Sequence, residues 1–395
     1  MEKSLLVSFI GKAKNPDGVS YRKTKYEKTK YEFKDGYTYE STFFTVALYR
    51  YLKEREGLNP DLLVVGTTGS TWSELIQLVD ESEKVFEISP ELEKGFSYEG
   101  LQQLEKALSE ALGVNVKLLA VEDEPPRVME IAKAVFEVLK DLKHRSVILD
   151  ITHSYRYMPF AVLSSFMIYK NLRNFSIRLF YGFLEGPQKQ DGTRPAYELT
   201  DISQLLELSE AIHSLQNTGD FRKYYTLLGN KELAEEVYYK IETNQSPGKN
   251  LRKLLDFKPS EPYHIVHEEV NQILLPLDAK YNDQRMVRRA EFFAERGQYL
   301  KAIVLLYEAF IVLYCRKSGR TDCNKYTTRE EILKSIRKTN EDIAFLSFLR
   351  NVIVHGTQPE KMYAGKIQAI LGSEDELRKI FREYIDLYEK EAGSI

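Results

Sequence analysis

Little in this sequence points to covalent or metal cross-linking. Its 395 residues hold two cysteines, Cys315 and Cys323. Two are too few for a disulfide framework, and no histidine cluster stands near them to complete a zinc site. The pair therefore reads as inert packing, and a reducing, intracellular compartment is expected. Charge of one sign is also missing: 56 basic and 59 acidic side chains leave a formal charge of −3. Any affinity for a polyanion must come from local patches. Long apolar runs are absent as well. The opening MEKSLLVSFIGK carries a stretch far shorter than a signal h-region, and nothing approaches the roughly 18 residues of a membrane span. The expectation is a soluble, cytoplasmic protein. No internal repeat or low-complexity tract is present. There is one tryptophan but 26 tyrosines, a bias that suits interfaces and stacking platforms. A hydrophobic share of 43% excludes disorder as the main description, and the length admits two or three domains.

The first half alternates short apolar runs with amphipathic helices. Strands are expected at Leu5–Ile10, Leu62–Val65, Lys117–Val121, Ser146–Ile151 and Ser176–Phe183, with helices at about 43–54, 72–79, 99–111, 126–141 and 159–171. Such alternation predicts a Rossmann-like parallel sheet with helices on both faces. One polar excursion, Lys12–Tyr39, reads as two-stranded. Its Arg22, Lys23, Lys25, Lys28 and Lys30 interleave with Tyr21, Tyr26 and Tyr31, which suits either a basic, aromatic lip or a solvated edge hairpin. After Thr200 the pattern becomes helical, with helices at Asp201–Gln216 and Phe221–Ile241 and a turn-forming TNQSPGK at 243–249. Leu300–Cys315 is apolar nearly all round and belongs in the middle of a bundle, with Glu308 as its one mid-helix charge. The fold class is α/β followed by all-α, divided as 1–205, a helical linker region 206–264, and 265–395.

Two stretches carry chemistry. In FLSFLRNVIVH, Arg350, Asn351 and His355 share one helix. A spacing of five residues turns the arginine and histidine about 140° apart. A helix ending near Val354 would let the histidine turn toward the arginine. A histidine titrating near neutrality can exchange protons with a 2'-hydroxyl or a leaving 5'-oxygen, an arginine can neutralise a phosphorane, and an asparagine can orient both. The second stretch, DITHSYRYMP at 150–159, follows the strand SVIL. Ligands bind beyond the carboxyl ends of strands in open parallel sheets, and Thr152, His153, Ser154 and Arg156 offer donors to phosphate beside a helix N-terminus. A capping and packing loop around Asp150 is the other reading. GTTGSTW at 66–72 is a parallel feature, but it is neither a Walker loop nor GxGxxG. His264, His267 and Glu268 lack a further ligand cluster and read as an exposed helix entry.

Arg350, Asn351 and His355, after a long buried helix with an internal glutamate, resemble the motif of the HEPN ribonucleases over roughly residues 265–395. That resemblance implies a metal-independent active site built from two copies of the motif across a homodimer, with Glu308 either orienting the arginine or forming a buried ion pair. LLVSFIG, the tyrosine-rich hairpin, VVGTTGSTW and LDITHSYRYMP resemble the CARF domains of CRISPR-associated proteins over roughly residues 1–205. The motif there is Asp150, Thr152, His153, Ser154, Tyr155 and Arg156, with serine where glycine is commoner. This likeness implies that Ser8, Gly11, Thr67, Thr68, Ser70, Thr152, His153 and Arg156 line a cleft for a cyclic oligoadenylate. Together the two imply a type III CRISPR ribonuclease that cleaves single-stranded RNA when activated by cyclic tetra-adenylate or cyclic hexa-adenylate. A ring nuclease acting on its own activator and a non-catalytic sensor are the alternatives.

Overall fold

The computed structural model describes residues 3–12, 28–79, 96–122, 126–140, 146–153, 155–173, 175–184, 186–359 and 361–393. The chain forms two compact units, Met1–Leu205 and Leu206–Ile395.

The first unit is built on one eight-stranded sheet. Its strands are β1 (Ser4–Ile10), β2 (Thr29–Glu32), β3 (Thr38–Ser41), β4 (Asp61–Thr67), β5 (Val116–Val121), β6 (Ser146–Asp150), β7 (Ser176–Gly182) and β8 (Thr193–Glu198). They lie in the order β3-β2-β8-β7-β6-β1-β4-β5. β7, β6, β1, β4 and β5 are parallel, β8 runs antiparallel to β7, and β2 pairs parallel with β8 and antiparallel with β3. The helices are α1 (Phe44–Glu54), α2 (Tyr98–Leu112), α3 (Val128–Lys140) and α4 (Tyr157–Leu172). Trp72–Leu78, expected as an α-helix, is a tighter 3₁₀ segment.

Alternation along the strands explains the layering. Leu6, Ile10, Leu62, Val64 and Ile148 join α1 and α2 in one apolar cluster, so Leu5, Val7, Phe9, Val147 and Leu149 point to the opposite face. All of these are buried, so both faces are covered. On α4, Phe160, Ile168 and Leu172 recur at multiples of four and are 71%, 55% and 74% exposed. They form an unpaired apolar stripe.

The polar excursion is an edge hairpin in its described part, β2 and β3. Tyr31 is fully buried against Phe44 rather than offered at a lip. Lys28 pairs with Glu40 at 2.8 Å. Arg22, Lys23, Lys25, Tyr21 and Tyr26 lie outside the described residues.

The second unit is helical: α5 (Thr200–Thr218), α6 (Arg222–Leu227), α7 (Lys231–Glu242), α8 (Lys249–Leu255), α9 (Tyr263–Leu274), α10 (Asn282–Glu295), α11 (Tyr299–Lys317), α12 (Tyr326–Thr339), α13 (Glu341–His355), α14 (Ala364–Leu371) and α15 (Glu374–Ala392). The single helix expected over Phe221–Ile241 is broken into α6 and α7, because Gly229 takes φ +83° between them. α5 to α9 share one apolar cluster and α10 to α15 another. α11 is the axis of the second, with Ala302, Leu306, Ala309, Phe310 and Leu313 fully buried.

Two sequence expectations are corrected here, and one alternative is decided. Cys315 and Cys323 are joined as a disulfide rather than being two separate packed thiols. His267 is no exposed helix entry. It is buried, hydrogen-bonded through Nδ1 to the Tyr224 hydroxyl at 3.1 Å, and its pKa is lowered by burial. Of the two readings of Glu308, the ion pair is the one found: it pairs with Arg329 of α12 rather than with Arg350.

Candidate functional sites

The first site lies where the sheet changes direction. β4 and β5 lie on one side of β1, and β7 and β8 lie beyond β6 on the other, so the crevice expected of such a switch point lies beyond the carboxyl ends of β1 and β6. At its floor Asp150, fully buried, ends β6. Its Oδ2 accepts from the hydroxyls of Ser8 at 3.0 Å and Thr45 at 2.8 Å, and its Oδ1 accepts from the Thr152 backbone N–H at 2.9 Å. Ser8 and Thr45 are also hydrogen-bonded to each other. Burial pushes the Asp150 carboxyl above its ordinary value, and these hydrogen bonds act against that shift. The Thr152 hydroxyl accepts from the Gly182 N–H at 2.8 Å, which ties the loop to the end of β7. Gly182 has to be glycine for this: a Cβ would stand 2.6 Å from the Phe44 ring.

His153 turns inward. Its Nε2 accepts from the Phe44 N–H at 3.2 Å, at the start of α1, and its ring lies 5.3 Å from that of Phe43. Burial lowers its pKa to about 4, so it is neutral at pH 7. A histidine with a lowered folded pKa contributes stability that is present above the unfolded value of about 6.5 and lost as pH falls toward 4. Urea unfolding of the first unit should therefore weaken over that window, and His153→Asn should flatten the trend. Trp72 is the only tryptophan and is buried in this unit, so its fluorescence isolates the signal. An unchanged pH profile in the variant would assign the trend to other groups.

The loop after β4 is fastened to the end of β1. The Ser70 hydroxyl donates to the Ile10 carbonyl at 2.7 Å and accepts from the Thr67 N–H at 2.8 Å, and the Thr71 N–H donates to the Gly11 carbonyl at 3.1 Å. The Thr68 N–H reaches the Val121 carbonyl at 2.9 Å. The fold thus gathers Gly11, Thr67, Thr68 and Ser70 at one rim and Thr152 at the adjoining one, with Ser8 and His153 buried beneath. Ser8, Thr67 and His153 are buried, while Thr68 and Ser70 are half-buried. Arg156, at the N-terminus of α4, is exposed and makes no hydrogen bond or ion pair with the other described residues. Ser154 lies outside the described residues. Thr45 was not singled out by sequence, although a hydroxyl among the buried Phe43, Phe44, Val46 and Leu48 was a usable signal.

Residues 5–183 match the family model described as CRISPR system endoribonuclease Csx1, CARF domain. The match supports a CRISPR-associated CARF family for the first unit. No curated protein matches the chain. The CARF match spans every strand from β1 to β7 and both rims of the crevice, and it ends before the helical unit.

The second site closes α13. Asn340 caps this helix by accepting from the Ile343 N–H at 3.2 Å, Glu341 and Asp342 occupy its first turn, and Gly356 ends it at φ +60°. Arg350 is half-buried. Its Nη1 donates to Asn351 Oδ1 at 2.9 Å, and its guanidinium lies 5.6 Å from the centre of the Tyr307 ring. His355 is exposed at the helix end and makes no hydrogen bond or ion pair among the described residues. The structure thus joins Arg350 to Asn351 and leaves His355 apart from both. Among the described residues no group of three metal-ligating side chains occurs, and no helix is long and apolar enough to cross a membrane.

Proposed function

We propose that the protein is a cyclic-oligoadenylate-activated, metal-independent endoribonuclease that cleaves single-stranded RNA in type III CRISPR defence. The observation that carries this reading is the CARF match over residues 5–183, in a chain whose helical unit carries Arg350, Asn351 and His355 in the last two turns of one helix. The activator sits beyond β1 and β6. Arg156 meets its phosphates, the 67–70 loop and the Thr152 segment line its walls, and Asp150 and His153 position that segment from below. The exposed Phe160, Ile168 and Leu172 stripe gives a second copy an apolar surface on which to pair, and a cyclic ligand suits a cleft made twice.

At the nuclease site one histidine takes the 2'-hydroxyl proton as that oxygen attacks the adjacent phosphorus. The bond to the 5'-oxygen breaks, and this oxygen leaves with a proton from the partner copy's histidine. The products are a 2',3'-cyclic phosphate and a 5'-hydroxyl. Arg350 holds the charge of the phosphorane, and Asn351 holds Arg350. Single strands are the substrate because in-line attack needs a backbone free to leave A-form geometry. Activator binding shifts an equilibrium toward the competent nuclease, so the active state binds the ring more tightly. A ring-cleaving role for the first unit has less support, because His153 is buried, neutral and committed to the Phe44 N–H.

The test is cleavage of a fluorophore-quencher RNA with cyclic oligoadenylates of three to six units and with none. Cleavage with one ring size only, cyclic tetra-adenylate being expected, supports the reading. Ring binding without turnover replaces it with a sensor, and full activity without any ring removes the gating.

A further inference from the structure

The helical unit holds a second unneutralised cation beside Arg350. Arg337 of α12 reaches across to α11 and α13. Its Nη2 donates to the Tyr307 hydroxyl at 3.1 Å and also hydrogen-bonds the Ser347 hydroxyl. Arg350 lies over the face of the same Tyr307 ring. One tyrosine therefore supports two guanidinium groups, one on its ring and one at its hydroxyl.

Among the described residues neither group has a carboxylate. Arg350 is bonded to the neutral Asn351, and its Nε is buried with no hydrogen-bond partner. Among the described residues Arg337 has only the two hydroxyls. Glu308, next to Tyr307 in sequence, is taken by Arg329. Two positive charges held on one side chain repel each other, and half-burial of Arg350 deprives its Nε of water. An anion between them would relieve both conditions, and the forked, charge-assisted geometry of guanidinium suits phosphate.

We propose that Arg337 and Arg350 form a phosphodiester-binding site on Tyr307, in which Arg337 grips RNA directly and Ser347 and Tyr307 hold it in position. This rests on the ribonuclease reading of α13 and adds to it a residue outside the Arg350 to His355 stretch. Arg337 is exposed, so RNA can reach it. Ser347 and Arg350 stand three residues apart on one face of α13, which aligns the two contacts.

The experiment uses the full chain. Arg337→Ala should lower kcat/KM for the activated cleavage by about ten- to a hundred-fold, the loss expected for one charge-assisted hydrogen bond to phosphate. Arg337→Lys should recover part of it, because the charge returns without the fork. RNA binding is then read in the non-cleaving His355→Ala protein. There Arg337→Ala should weaken affinity and reduce the slope of log affinity against log salt by about 0.7. A merely structural arginine would not change that slope. Unchanged kcat/KM and salt slope, in a protein whose wild type cleaves RNA, overturn the proposal and leave the ribonuclease reading intact. A wild type that never cleaves overturns the ribonuclease reading, and the salt slope then judges the anion site alone.

Discussion

His355→Ala is expected to lower activated RNA cleavage by about 10²- to 10⁴-fold, the usual contribution of a positioned acid or base. The side chain stands exposed at the end of α13 and touches no polar partner among the described residues, so removing it disturbs neither a cap nor a buried network. Its loss should leave thermal stability and ring binding by the first unit unchanged. That separation is the useful feature, because it isolates chemistry from folding and from activation. The products of the wild type should carry 2',3'-cyclic phosphates. Products with 3'-hydroxyls, or cleavage that survives the substitution, would remove His355 from the mechanism.

Asp150→Ala is expected to destabilise the first unit by about 2–4 kcal/mol. The substitution removes the acceptor shared by the fully buried Ser8 and Thr45 hydroxyls and by the half-buried Thr152 N–H, and each such lost bond costs on the order of 1 kcal/mol. Asp150→Asn should cost less, because an amide keeps two of the contacts and the hydroxyls can turn to accept from it. Urea unfolding followed at Trp72 reads this unit alone. Ring binding should weaken in parallel, since Thr152, which precedes Arg156 in the same turn, hangs from that carboxylate. A Trp72 midpoint within experimental error of wild type would show that the network adds nothing to stability.

Much of the first unit was legible in the sequence. LLVSFI, DLLVVGT and SVILD are short apolar runs ending at glycine or aspartate, and in a parallel sheet buried on both faces such runs have little other outcome. β8 was missed because Thr193–Glu198 is polar and contains Pro195, and its pairing with β7 and β2 is decided across the sheet. The α6 and α7 break turned on one glycine inside a helical pattern, Gly229, whose φ of +83° leaves the helical region at a position open to solvent. The disulfide was hidden by counting: two cysteines are few, but a spacing of eight at the end of α11 brings their Cα atoms to 6.1 Å.

The candidate sites divide in the same way. Sequence alone determined that Asp150, Thr152, His153 and Arg156 occupy one strand-to-helix turn, and that Arg350, Asn351 and His355 end one capped helix. Periodicity, caps and glycines act over a few residues, so local spacing is enough to place such groups on an element. Only the tertiary structure decided that His153 faces Phe43 and Phe44, that Thr45 completes the Asp150 network, that Glu308 meets Arg329, and that Arg337 joins Arg350 on Tyr307. Each of these contacts links separate elements, and which side chains meet there follows from how the elements close-pack around a shared core.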